Sequence, residues 1–266
     1  GLVRIEAIDD DAVREKIRDL VEGTVLTPVC ETVMKRKAAE VCAEDGTTAI
    51  LVTDNGEIRA NDRAELLHEA EIELLDGRIE GLFDIAHQLF PQGGLTFSRM
   101  SKAARGYLLA EQGRIDEPLA PREANHVRLG RKQTVDRAAG EIFCECADQI
   151  AQNINVIERL DDPEGPHHLR IGLRRLRIAF SVFEPLLKNP ELSRLANEAR
   201  WIGQETGRLR DIDVVIADIV LREADLHPDE PDFKLLAERL RQEANDVRDK
   251  LRALLIGPYV QAFLID

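Results

Sequence analysis

The chain has 266 residues, 50 of them Asp or Glu and 36 Lys or Arg, for a formal charge of −14 at pH 7. With 44% hydrophobic and 32% charged residues it reads as a globular protein rather than a disordered one, and its length favours two domains. No apolar run of about 18 residues is available to span a bilayer, and the average charge opposes polyanion binding except at a locally basic patch.

The opening GLVRIEAIDDDAVREK lacks the basic flank and apolar stretch of a signal peptide. Several segments then read as strands. TPVCETVMKRK is followed by TTAILVTDNGEIRA, where Asn55-Gly56 between two strand-like runs predicts a two-residue hairpin turn. LLHEAEIELLDG comes next, with Glu69, Glu71 and Glu73 alternating toward one face. In RIEGLFDIAHQLF the apolar residues Ile79, Leu82, Phe83, Ala86 and Leu89 recur at helical spacing, and Pro91 with Gly93-Gly94 stops the helix. The pattern so far is mixed α/β with antiparallel strands.

RIDEPLAPRE carries two prolines and predicts a linker. Beyond it, helices are expected at about 122–132, 134–160, 166–188, 191–205, 208–226 and 232–256. Breaks are expected at Asp162-Pro163, Gly165-Pro166, Asn189-Pro190, Gly207 and His227-Pro228. Short connections imply antiparallel packing, so the expected fold class is α+β: an antiparallel β domain followed by an all-α helical bundle. Cys30, Cys42, Cys144 and Cys146 show no zinc-site spacing, and a reduced, cytoplasmic setting is the expectation.

HHLRIGLRRLRIAFSVF concentrates the basic residues, with no acid between Gly165 and Phe183. On a helical wheel, His167, Arg170, Arg174 and Arg177 fall within a sector of about 80°, beside a stripe of Leu169, Leu173, Leu176, Phe180 and Phe183. The apolar stripe is expected to be buried, and the guanidinium row presents planar forks suited to phosphate oxygens. The alternative is a solvated face paired with acids of adjacent helices, for which Glu141, Glu145, Glu158, Glu198 and Glu205 are candidates. A second segment, ARWIGQETGRLRDIDVV, places Arg208, Arg210, Asp211 and Asp213 just after Gly207, at an expected helix start. Trp201 is read as a core residue.

The pair HHLRIGLRRLRIAF and RWIGQETGRLRDIDVV resembles the CHAD family, the conserved-histidine α-helical domain. The resemblance covers about residues 122–266 and makes His167 the family histidine. It implies inorganic polyphosphate bound along a basic helical face by His167, Arg170, Arg174, Arg175, Arg177, Arg208 and Arg210. The first half, through LTPVCETVMKRK, VTDNGEIRA, EAEIELLDG and MSKAARGYLLAEQG, resembles the later strands of a CYTH domain, a triphosphate tunnel metalloenzyme. That likeness, closest to bacterial inorganic triphosphatases with a CYTH and a CHAD domain, implies Mg²⁺ or Mn²⁺ held by Glu69, Glu71, Glu73 and Asp54. Arg36 and Lys102 would supply positive charge to tripolyphosphate, and a metal-positioned water would attack the phosphoryl group. Without the resemblance, the spacing of EAEIEL favours a solvated acidic strand.

The expected organisation is a tunnel-type segment over 1–116, a linker over 117–121 and the N-terminal part of a CHAD domain over 122–266. Nothing in residues 1–25 matches the Glu-x-Glu-x-Lys strand of the tunnel family, and GLVRIEA resembles a strand from the middle of such a domain. The chain is therefore read as a piece whose parent hydrolyses tripolyphosphate and which itself binds phosphate chains. The alternatives are a non-catalytic polyphosphate-binding module, a purely structural bundle, and nucleic-acid binding. The last is disfavoured because no aromatics interleave the arginines. No membrane partner is expected, and the oligomeric state is open.

Overall fold

Alternating side chains carry three long strands, β1 (Glu31–Cys42), β2 (Thr48–Ala60) and β3 (Arg63–Asp76), paired antiparallel in the order β1-β2-β3. The computed structural model describes residues 5–21, 27–98 and 100–266. It divides into two units, one of Gly1–Leu82 with Ser98–Pro118 and the other of Phe83–Phe97 with Leu119–Asp266.

In the first unit, Ile5–Ala7 forms a short 3₁₀ turn where GLVRIEA resembled a strand, and Asp11–Val21, for which no element was expected, forms a helix, α1. Gly1–Arg4 of that predicted strand lies outside the described residues. Asn55-Gly56 does not turn the chain: β2 runs straight through it, Asn55 opposite Lys35 and Gly56 opposite Met34. The chain reverses instead around Gly46 (φ 88°) and at Asn61 (φ 55°), both in the left-handed region. Gly56 serves a different need, because a Cβ there would collide with the Val33 carbonyl and approach the Met34 Cα at 2.9 Å.

α3 (Lys102–Gln112) starts at Ser101, whose Oγ accepts from the Ala104 N–H (3.2 Å), and stops at Gly113 (φ 74°). It covers one sheet face, where Leu109 joins Ile58, Ala60 and Leu67 in a small core.

α2 (Glu80–Leu89) stands near its predicted place, but most of it groups with the second unit, as does the segment following it, through Phe97. Hydrogen bonds explain this assignment. His87 Nε2 lies 2.8 Å from Asp266 Oδ1, the Gly94 N–H donates to the Ile256 carbonyl (2.9 Å), and the Leu95 N–H donates to Gln261 Oε1 (3.0 Å). The later boundary, between Pro118 and Leu119, falls inside the predicted linker.

The second unit is a helical bundle. α4 (Val135–Arg159), α5 (Glu164–Leu187), α6 (Glu191–Val214), α8 (Asp232–Leu255) and α9 (Pro258–Ile265) share one core around Ile150, Leu169, Leu173, Ile202 and Leu255. α6 begins beside Asn189-Pro190, as the sequence predicted, whereas α5 begins at Glu164, beside Asp162-Pro163, and the predicted start at Gly165-Pro166 lies inside its first turn. Asp162 Oδ1 accepts from the Glu164 N–H (2.9 Å), and Asn189 Oδ1 accepts from the Glu191 N–H (3.0 Å). Neighbours run antiparallel: Gly165 lies against Val156 and Gly172 against Ile150.

Three expectations change here. No helix forms over 122–132, because α4 side chains take up its backbone groups. The Arg122 N–H donates to Asn153 Oδ1 (3.1 Å), Asn153 returns a bond to the Arg122 carbonyl (2.9 Å), and the Asn125 N–H donates to Glu145 Oε1 (2.8 Å). Gly207 does not break a helix either. α6 continues through a π-helical segment, Val215–Val220, into α7 (Leu221–Leu226), so helical backbone is unbroken from Glu191 to Leu226. The sequence reading also missed α9. Among the described residues no helix is long and apolar enough to cross a membrane.

Candidate functional site

The helical wheel of α5 is realised. Leu169, Leu173, Leu176 and Phe180 are buried, and Phe183 packs edge-on to Phe143 at 5.7 Å. The adjacent stripe, His167, Arg170, Arg174 and Arg177, lines an open groove of about 950 Å³ between α5 and α6, with Leu240 and Glu243 of α8 closing one side. Arg208 and Arg210 of α6 line the same groove, so six of the seven residues expected to bind polyphosphate converge on it.

Arg175 is the exception. It turns toward α4 and donates to Oε1 of the fully buried Gln149 at 2.6 Å. Its place in the Arg-Arg-Leu-Arg run puts it about a third of a turn around the helix from the groove stripe.

Arg200 also lines the groove and was missed. The signal was present in the sequence: Arg200, Gln204, Gly207 and Asp211 follow one another at three or four residues and share one helix face. Gly203 and Gly207 on that side lack side chains, which lets the groove reach down between the helices. A Cβ on Gly207 would stand 2.6 Å from Arg170 Nη1, so Gly207 makes room for that guanidinium.

None of the five acids considered as partners for the α5 arginines pairs with them. Glu141 pairs with Arg137, Glu145 with Arg122 and Glu198 with Arg194. Glu158 and Glu205 make no ion pair among the described residues. Three groove arginines do meet carboxylates, all partly exposed: Arg208 donates a hydrogen bond to Glu243 (3.2 Å), and Arg170 lies 3.6 Å from Asp211 and Arg210 3.5 Å from Glu164. Arg174, Arg177 and Arg200 have no carboxylate within ion-pair distance among the described residues.

Burial, together with the charge of Arg210, lowers the His167 pKa below its ordinary value. Asp211 and Asp213 do not open a helix as expected. Both sit toward the end of α6, where burial raises the pKa of Asp213 against the pull of Arg248, 3.8 Å away. Trp201 is half-exposed rather than a core residue. It packs edge-on to Tyr259 at 4.8 Å and does not line the groove.

In the first unit the strand register places Arg36, Asp54 and Glu69 side by side, with Glu71 and Glu73 further along the same face of β3. Asp54 is mid-strand rather than beside a turn. Its buried carboxylate accepts two hydrogen bonds from Arg36 (2.9 and 2.7 Å). Lys102, projecting from the first turn of α3, brings its Nζ to Glu69, to Asp54 (3.0 Å) and to Glu71 (3.0 Å). The Arg36 bond, against burial and with help from Lys102, holds the Asp54 pKa at about 2. Burial opposes the charge on Lys102, but the three carboxylates overcome it and raise its pKa.

Glu73 is exposed and touches neither cation. The cation among these carboxylates is thus an ammonium. Among the described residues no set of three or more His, Cys, Asp or Glu side chains is placed to hold a metal ion. As arranged, Asp54, Glu69 and Glu71 face Lys102 and Arg36, and Glu73 stands apart from them.

Residues 141–266 match the CHAD domain family. Among solved structures, the crystal structure of the CHAD domain from the plant Ricinus communis is similar, at 27% identity over 55% of this chain and 48% of that one, with a TM-score of 0.47. The chain therefore spans about half the length of that relative.

Proposed function

We propose that the groove between α5 and α6, within the CHAD-matching region, is a binding site for inorganic polyphosphate. One observation carries the reading: seven basic residues line a single open groove and three of its arginines have no carboxylate within ion-pair distance among the described residues, in a chain whose net charge is −14. Guanidinium groups crowded at that density repel one another unless an external anion lies among them, and phosphate oxygens match their planar forks. Among the described residues no Phe, Tyr or Trp lines the groove, which disfavours single-stranded nucleic acid, where bases stack on aromatic rings.

Calorimetric titration with long-chain polyphosphate tests the reading. Binding should weaken steeply between about 50 and about 200 mM salt, because counterion release contributes much of the affinity for a polyanion. Arg174→Ala and Arg177→Ala should each lose roughly tenfold, the order of one charge-assisted hydrogen bond. Absence of binding, or binding indifferent to both variants with the fold retained, refutes it. Stronger binding of nucleic acid in competition would reassign the groove.

The convergence of Arg36, Asp54, Glu69, Glu71 and Lys102 on one sheet face favours a second reading, that the first unit belongs to a tunnel-type domain handling tripolyphosphate. Phosphate release from tripolyphosphate with Mg²⁺ or Mn²⁺, measured against a Glu71→Gln control, tests it. Equal rates in the two proteins would end it.

A further inference from the structure

The groove has two unlike ends. α5 and α6 run antiparallel across it, so Arg170 lies beside Gly207 and Leu173 beside Gly203. Arg177 and Arg200 meet at the far end, where both also line an adjoining depression of about 490 Å³. That end, with Arg174 next to it, has no carboxylate within ion-pair distance among the described residues. Glu184, in the adjoining depression, instead accepts from the Ser193 hydroxyl (2.5 Å).

At the other end, Arg170, Arg208 and Arg210 are each met by an acid from a different helix: Asp211 of α6, Glu243 of α8 and Glu164 of α5. These contacts are 3.2–3.6 Å long, and the carboxylate side chains keep 79%, 50% and 48% of their exposure. Exposed pairs of this kind are weak and exchange readily with solvent ions.

We infer that Asp211, Glu243 and Glu164 are displaceable internal counter-ions that set the groove's preference for long phosphate chains, with Arg174, Arg177 and Arg200 as the anchor that any phosphate meets first. This rests on the polyphosphate reading above. A short anion on the anchor leaves the three acids in place. From Arg200 to Asp211 is about 16 Å along the helix, and a salt-screened interaction fades over about 8 Å. A long chain runs on from the anchor and must displace each acid to reach the arginine beneath it. The acids therefore reduce long-chain affinity while leaving orthophosphate nearly untouched, and removing them should help only the ligand that had to displace them.

The test is titration of the full chain with orthophosphate and with long-chain polyphosphate, for the wild type, the Asp211→Asn/Glu243→Gln double variant, Arg200→Ala and a charge control, Glu238→Gln, outside the groove. The double variant should bind long-chain polyphosphate about three- to tenfold more tightly, with orthophosphate changed less than twofold. Glu238→Gln should change neither by more than twofold, and Arg200→Ala should weaken both. Circular dichroism confirms that each variant is folded.

An equal gain for both ligands, or a gain matched by Glu238→Gln, would mean diffuse electrostatics and overturn the inference. No gain for the long chain, with Arg200→Ala still harmful, would overturn it while the polyphosphate reading stands. Failure of the wild type to bind the long chain would remove both.

Discussion

Gly207→Ala separates what the groove needs from what the helix needs. Gly207 lies inside α6, where replacing glycine by alanine removes conformational freedom from the unfolded chain and favours the helix by about 0.5–1 kcal/mol. In a helical unit of this size that corresponds to a rise in Tm of about 1–4 °C. The new Cβ would stand 2.6 Å from Arg170 Nη1, and the next nearest atoms are also in that guanidinium. The far end of a flexible side chain yields more easily than backbone, so Arg170 moves out of the groove and the fold is kept.

Loss of one well-placed arginine–phosphate contact costs up to about 1.5–3 kcal/mol. Arg170 keeps its stem and can re-extend, so a three- to tenfold loss of polyphosphate affinity is expected, about 0.7–1.4 kcal/mol. Thermal unfolding by circular dichroism and calorimetric titration of the same preparation read the two effects. Higher Tm with unchanged affinity would show that the placement of Arg170 against Gly207 has no part in binding. Lower Tm would show that the alanine meets more than a movable side chain.

Other outcomes follow from particular contacts. Arg175→Ala should leave polyphosphate affinity within about twofold and destabilise the helical unit by about 1–2 kcal/mol, because it strands the buried Gln149 amide rather than emptying the groove. A tenfold affinity loss would return Arg175 to the site. Polyphosphate affinity should rise as pH falls below the ordinary histidine range, since a bound anion favours the protonated form of His167, which burial and Arg210 disfavour in the free protein against the opposing charge of Glu164. A profile no different from that of His167→Gln would refute this.

The Asp54 pKa is depressed in the folded state, so its contribution is complete above the unfolded carboxylate range and is lost as pH falls toward about 2. Between about pH 4 and pH 2 the first unit should lose about 2 kcal/mol through this group. Asp54→Asn should flatten that part of an unfolding curve, and an unchanged slope would show that the Arg36 pair contributes nothing.

The sequence by itself determined the elements whose signals are local. Periodicity placed the buried and basic stripes of α5, the Asn189-Pro190 pair placed the start of α6, and strand alternation put Glu69, Glu71 and Glu73 on one face. It misjudged features whose meaning lies in a partner. Asn55-Gly56 carries a turn signal, yet a strand on either side holds it extended, and Gly56 is there because the Val33 carbonyl comes too close for a side chain. Gly207 resembles a helix break in one dimension and is a seat for Arg170 in three.

Only the tertiary structure decided which charges answer one another. It turned Arg175 inward, brought Arg200 into the groove, and centred Lys102 among carboxylates that the tunnel-domain resemblance offered to a metal. The reason is physical. Backbone preference and burial act over a few neighbouring residues, whereas the partner of a charge is whichever group the packing of distant segments brings within a few ångströms of it.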